Sequence, residues 1–163
     1  MKKEPLLIST CLLGLPCRYD GASVEGRFGA SAAPLGDILP LLTARYELVP
    51  FCPEIYGGLP TPRVPSERIG ERVVMRDGTD VTVAFLRGAE GALTLCRRLG
   101  IRRALLKAKS PSCGKGRIYD GTFSGTLTAG DGVTAEHLVR AGIAVYDEGE
   151  LDALLSACDE MDG

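Results

Sequence analysis

The sequence predicts an α/β fold: a single three-layer domain over residues 1–163, with a short parallel sheet covered by helices on both faces. Three observations carry that expectation. Strand-like and helix-like segments alternate along the chain. The strand-like runs are short and almost wholly apolar, and they end in loops marked by proline, glycine or cysteine. Right-handed crossovers restrict the topology, and the expected strand order is 2-1-3-4, with the switch between the first and third strands.

Leu6 to Thr10, apolar with a β-branched residue, reads as the first strand and runs into Cys11 and a loop holding Gly14 and Pro16. Residues 23–33 are small and polar, a loop. Pro34 suits a helix start, and Leu35, Ile38, Leu39 and Leu42 follow at helical spacing. Tyr46 to Phe51 reads as the second strand, stopped by Cys52-Pro53. From Pro53 to Gly78 the chain is rich in proline, glycine and arginine, with weak periodicity. A connection that long is usually functional or hides small elements. Asp80 is placed to cap the longest helix, striped by Phe85, Ala89, Ala92, Leu93 and Cys96, with Gly100 supplying a left-handed residue after its end. Arg103 to Lys107 carries the third strand and leads into Ser110–Gly114. Residues 119–132, rich in glycine and threonine, form a hairpin or an ordered loop. Thr134 is expected to cap a short helix that stops at Gly142. Ile143 to Tyr146 makes the fourth strand, and Leu151, Leu154, Leu155 and Cys158 stripe a terminal helix. Tyr-Asp-Gly occurs at 19–21 and again at 119–121, which reads as a recurrent turn pair.

The chain has 163 residues, 45% hydrophobic and 25% charged, enough to build one continuous core. Its formal net charge of -2 recommends no nucleic-acid polymer, which would ask for a basic patch. No apolar run approaches the roughly 20 residues a membrane span needs, and the Met-Lys-Lys-Glu-Pro start lacks the long apolar region of a signal peptide. The expected location is therefore the cytoplasm, where thiols stay reduced. Six cysteines there point to core packing, catalysis or metal rather than to disulfides.

Cys96 and Cys158 fall on helical apolar stripes and read as small hydrophobes. The other four differ. Cys11 follows the first strand, Cys52 the second, and Cys113 lies a few residues beyond the third; Cys17 sits in the loop after Cys11. A parallel sheet puts the carboxyl ends of its strands on one edge, so the topology alone gathers sequence-distant cysteines there. No Cys-x-x-Cys pair suggests a zinc knuckle, and the sole His137 reads as a surface residue. Scattered thiols suit an iron–sulfur cluster, with one iron left open if only three of the four ligate. Gly114 and Gly116 flank Lys115, so their N–H groups are candidates to face sulfur or an anion. Arg18 and Arg63 are candidates to hold thiolates ionised. Glu54 is the carboxylate tethered beside Cys52. Burial there would raise its pKa and make it a proton carrier. Ser110 and Ser112 either donate hydrogen bonds to a ligand or shape a turn around Pro111.

These motifs resemble those of the thiouracil desulfurase family. The matching stretches are Cys11–Gly21 (Cys-Leu-Leu-Gly-Leu-Pro-Cys-Arg-Tyr-Asp-Gly), Cys52–Arg63 (Cys-Pro-Glu-Ile-Tyr-Gly-Gly-Leu-Pro-Thr-Pro-Arg), Lys109–Gly114 (Lys-Ser-Pro-Ser-Cys-Gly) and Ile118–Phe123 (Ile-Tyr-Asp-Gly-Thr-Phe). The resemblance implies a compact α/β fold and a 4Fe–4S cluster held by Cys11, Cys52 and Cys113, with Cys17 as the neighbouring thiol. It also implies a non-redox desulfuration, in which a 2-thiouracil-like base gives up its sulfur to the open iron and becomes the oxo base. On this reading water activated by Glu54 adds at the thiocarbonyl carbon, and Ser110 or Ser112 orients the ring. Two departures stand out. Ala22-Ser23 stands where a basic residue often follows the first Tyr-Asp-Gly, and Ala108-Lys109 replaces a more usual Glu-Arg. Both bear on substrate choice rather than on the candidate ligands. Two rival readings keep different chemistry: a non-catalytic iron–sulfur or persulfide carrier serving a partner protein, and a zinc-binding regulatory domain.

Overall fold

The structure, a computed structural model, describes residues 2–13, 35 and 38–162, with 158–162 described by backbone alone. Cys17, Arg18, the 23–33 loop and the helix start at Pro34 lie outside the described residues, as does the Cys158 side chain. In chain order the elements are β1 (Glu4–Ser9), a single 3-10 turn (Thr10–Leu13), α1 (Leu39–Arg45), β2 (Tyr46–Phe51), α2 (Pro53–Tyr56), β3 (Ser66–Ile69), β4 (Arg72–Met75), α3 (Thr82–Leu99), β5 (Arg103–Leu106), β6 (Arg117–Tyr119), β7 (Leu127–Ala129), α4 (Val133–Arg140), β8 (Ala144–Asp147) and α5 (Leu151–Asp162).

β2, β1, β5 and β8 form the central sheet in that order, every pair parallel. Counted along the chain this is 2-1-3-4, the expected order. Leu6 of β1 sits opposite Leu48 on one side and Arg103 on the other, which fixes the register. Because side chains alternate across a strand, neighbouring residues of β1 enter different cores. Leu6 and Ile8 pack with Leu42 of α1, Leu105 of β5 and Leu154 of α5. Leu7 faces the other way, toward Ala92 and Cys96 of α3 and Ala135 and Leu138 of α4. Burying each of these leucines stabilises by about 1.5–3 kcal/mol, so both helical layers are tied to the same strands. The Tyr46 hydroxyl donates to the Leu154 carbonyl at 2.8 Å and fastens β2 to α5.

The long segment after β2 does hide small elements. α2 follows directly, and β3 and β4 form an antiparallel hairpin whose Val73 packs with Phe85 and Ala89 of α3 and with Val133. The 119–132 stretch likewise joins β6 to β7, an antiparallel pair. Gly100 takes the expected left-handed conformation at φ 68° and ends α3. Two expected caps are corrected. α3 starts at Thr82 with Val81 at the cap position. Asp80 stands one residue earlier and accepts the Thr82 N–H at 2.9 Å. α4 is capped at Gly132 instead of Thr134, because neighbouring loop carbonyls take up its first N–H groups.

Candidate metal centre

The carboxyl ends of β1, β2 and β5 bring three thiols to one place. Cys11 lies in the 3-10 turn that closes β1, Cys52 is the residue after β2, and Cys113 sits in the loop that follows β5. All three line one cavity of about 670 Å³ at the edge of the sheet where the strand order switches. None of the three is joined in a disulfide; Cys11 and Cys113 are buried and Cys52 is half-buried.

Two local devices fix the loops that carry them. The first seats α2 on α3. Pro53 opens α2, and its missing N–H costs nothing at that position. A methyl group built on Gly88 of α3 would come within 2.7 Å of the Pro53 carbonyl carbon, so only glycine lets the two helices approach this closely. Cys52 and Glu54 flank that contact. The second device holds the Cys113 loop. The Ser110 hydroxyl accepts the N–H groups of Ser112 at 3.1 Å and Cys113 at 2.9 Å. The opening N–H groups of α4 then grip the loop from outside: Val133 donates to the Pro111 carbonyl, and Thr134 and Ala135 both donate to Ser112. Gly132 packs so tightly here that a Cβ would lie 2.8 Å from the Cys113 nitrogen. Across the switch point the Ser9 hydroxyl accepts the Lys107 N–H at 3.0 Å and joins β1 to β5.

Burial pushes the Cys113 thiol up to about 12. The Ser9 and Ser112 hydroxyls act the other way, and the charges of Glu54 and Cys52 add to the rise. Such a thiol is no free nucleophile, whereas a coordinated metal would displace its proton outright. Among the described residues, no three His, Cys, Asp or Glu side chains come close enough to surround a single ion. The three thiols share a cavity whose volume leaves room for a larger multi-iron group. The donor set, sulfur without imidazole, is that of iron–sulfur chemistry.

The other candidates fare unevenly. Glu54 and Arg63 line the cavity and form an ion pair with each other. The carboxylate therefore has a charged partner, where the sequence suggested burial alone. Arg63 answers that carboxylate, and it also donates to the Pro60 carbonyl at 3.1 Å and the Thr61 hydroxyl at 3.0 Å. Ser110 faces the cavity, but Ser112 does not: its hydroxyl is buried against that of Thr134 at 2.9 Å. Gly114 and Gly116 do not turn their N–H groups toward a guest. Gly114 donates to the Ser110 carbonyl and Gly116 to the Asp131 carboxylate, so both serve the loop. Cys96 is in the core as expected, and burial raises its thiol to about 11. Asp120 accepts the Thr122 N–H at 2.9 Å, which makes the second Tyr-Asp-Gly a turn.

Sequence reasoning missed Ser9, Glu67, Arg76, Lys107 and Phe123, which also line the cavity. Ser9 and Lys107 had a signal, since both stand at the carboxyl ends of strands beside the cysteines. Glu67 and Arg76 had none, because the hairpin that carries them showed no clear period.

The sequence model of the 2-thiouracil desulfurase family matches residues 6–150. An uncharacterised Bacillus subtilis (strain 168) protein, YbbK, is 37% identical over 160 residues, covering 92% of this chain and 99% of its own. A solved structure described as the [4Fe-4S]-dependent thiouracil desulfidase TudS superposes with a TM-score of 0.87. It is 51% identical, and the match covers 96% of this chain and 99% of that one.

Proposed function

The chain belongs to the 2-thiouracil desulfurase family, and on that premise we propose that it removes sulfur from a 2-thiouracil-like base, giving the oxo base and sulfide. The net change is hydrolytic: water adds, a carbon–sulfur bond breaks, a carbon–oxygen bond forms, and no electrons are gained or lost. The observation that carries this reading is the meeting of three cysteines outside any disulfide and an ion-paired carboxylate on one cavity.

Cys11, Cys52 and Cys113 would hold a 4Fe–4S cluster. When bound, the cluster supplies an open iron, a Lewis acid for soft thiocarbonyl sulfur. Glu54, steadied by Arg63, takes the proton of the water that adds at the thiocarbonyl carbon and returns it to the departing sulfur. Ser110 already accepts two backbone N–H groups, which leaves its hydroxyl proton to donate to the ring. A reducing cytoplasm suits cysteines outside any disulfide, and among the described residues no helix is long and apolar enough to cross a membrane. The substrate is a small molecule, and residues 1–163 act as one domain.

The test is anaerobic turnover of 2-thiouracil with uracil and sulfide both quantified. Wild type should release them one to one. Glu54→Gln should keep the visible absorbance of the cluster and lose turnover by about 10²-fold or more. Undiminished turnover in Glu54→Gln would remove that residue from the chemistry. A loaded protein that releases no uracil would replace the enzyme reading with that of a sulfur carrier.

A further inference from the structure

Two cavity-lining residues other than glycine stand in left-handed backbone, Lys109 at φ 71° and Phe123 at φ 57°. For an aromatic residue this conformation costs about 1–2 kcal/mol. It persists only where the surroundings enforce it. Glu67 of β3 enforces it at Phe123. That buried carboxylate accepts the N–H groups of Gly121 at 2.9 Å and Phe123 at 3.1 Å through the same oxygen. The Arg76 guanidinium, just past β4, lies 5.7 Å from the centre of the Phe123 ring. Core packing does not account for this arrangement, because Phe123 belongs to none of the three hydrophobic clusters. A strained backbone, a buried carboxylate and a cation are all used to hold one aromatic ring in the lining of the cavity that Cys11, Cys52 and Cys113 also line.

We propose that Phe123 determines specificity by stacking its ring on the planar pyrimidine, on the side away from Arg76, and that Glu67 is the positioning residue that holds the ring there. The proposal rests on the thiobase reading of the cavity. Stacking of a base on an aromatic side chain is sequence-tolerant and energetically substantial.

The test is calorimetric binding of uracil, the product, to the cluster-loaded protein, beside steady-state turnover of 2-thiouracil. Phe123→Leu keeps apolar bulk and loses the π face. It should weaken uracil binding and raise KM about tenfold, with kcat changed by less than about twofold, while Phe123→Tyr should bind as wild type does. Glu67→Ala should show the same split of KM against kcat. Glu67→Gln should rescue it, because an amide oxygen still accepts both N–H groups. Combining Glu67→Ala with Phe123→Leu should be no worse than Phe123→Leu alone. Unchanged uracil affinity in Phe123→Leu, with turnover intact, would overturn the stacking proposal and leave desulfuration standing. If wild type binds uracil but turns nothing over, a tenfold loss in Phe123→Leu would keep the stacking and sink the desulfuration. A wild-type protein that neither binds uracil nor turns over 2-thiouracil would overturn both.

Discussion

Replacing Gly88 by alanine sets two effects of opposite sign against each other. Gly88 lies inside α3, where alanine gains about 1 kcal/mol in helix propensity. Against that, the new methyl would stand 2.7 Å from the Pro53 carbonyl carbon and 3.1 Å from its Cα. The obstacle is backbone, so no side chain can swing aside, and overpacking of this kind costs about 1–3 kcal/mol. The net expectation is a loss of up to about 2 kcal/mol, a fall of up to roughly 8 °C in Tm for a chain of this size. The larger effect should be local. Pro53 lies between Cys52 and Glu54, so moving α2 moves the proposed ligand and the proposed proton carrier together. A shift of about 1 Å is enough to cost on the order of 10²-fold in rate. Thermal melts with iron analysis on the same sample measure both effects. A Gly88→Ala protein that melts above wild type and carries a full complement of iron would refute the close-approach argument.

Glu136 pairs with Arg68 at 2.8 Å, linking α4 to β3. The Arg68 hydrogen bond holds its carboxyl below the ordinary value of 4.5 despite partial burial. Its stabilisation is therefore present above that ordinary value and is lost as pH falls through the depressed one. Glu136→Gln should cost about 1 kcal/mol at pH 7 and progressively less as the pH falls below 4.5, as read by urea titration; a cost that does not fall with pH would contradict the pairing. Ser110→Ala leaves the Ser112 and Cys113 N–H groups without their acceptor, and should cost about 1–3 kcal/mol. Ser110→Thr, which keeps the hydroxyl, should recover most of that loss in the same denaturation assay, and unchanged stability in Ser110→Ala would discount the turn.

The sheet was legible because its strands are covered on both faces, so Leu6, Leu7 and Ile8 appear as an unbroken apolar run. Placing cysteines after three such runs was then enough to bring Cys11, Cys52 and Cys113 to one edge. The caps were misplaced for a tertiary reason. The loop carbonyls of Pro111 and Ser112 take the N–H groups of Val133, Thr134 and Ala135, so the helix starts at Val133 and Thr134 falls inside its first turn. Gly114 looked like an anion cradle, yet its N–H closes the turn on Ser110, a choice set by the packing of Gly132 against the same loop. The β3–β4 hairpin stayed hidden because the buried residue of β3 is Glu67, a charged one that bonds to the Gly121–Phe123 backbone. The Glu54–Arg63 pair depends on how the loop between them folds back, which residue spacing does not encode.

The most direct measurement is iron and acid-labile sulfide per chain after anaerobic reconstitution, compared across wild type and the alanine variants of Cys11, Cys52, Cys113 and Cys96. The account predicts about four iron and four sulfide for wild type, full retention in Cys96→Ala, whose thiol lies in the core, and loss of the cluster in each of the other three. Zinc in place of iron, or an intact cluster in any of those three variants, would contradict it.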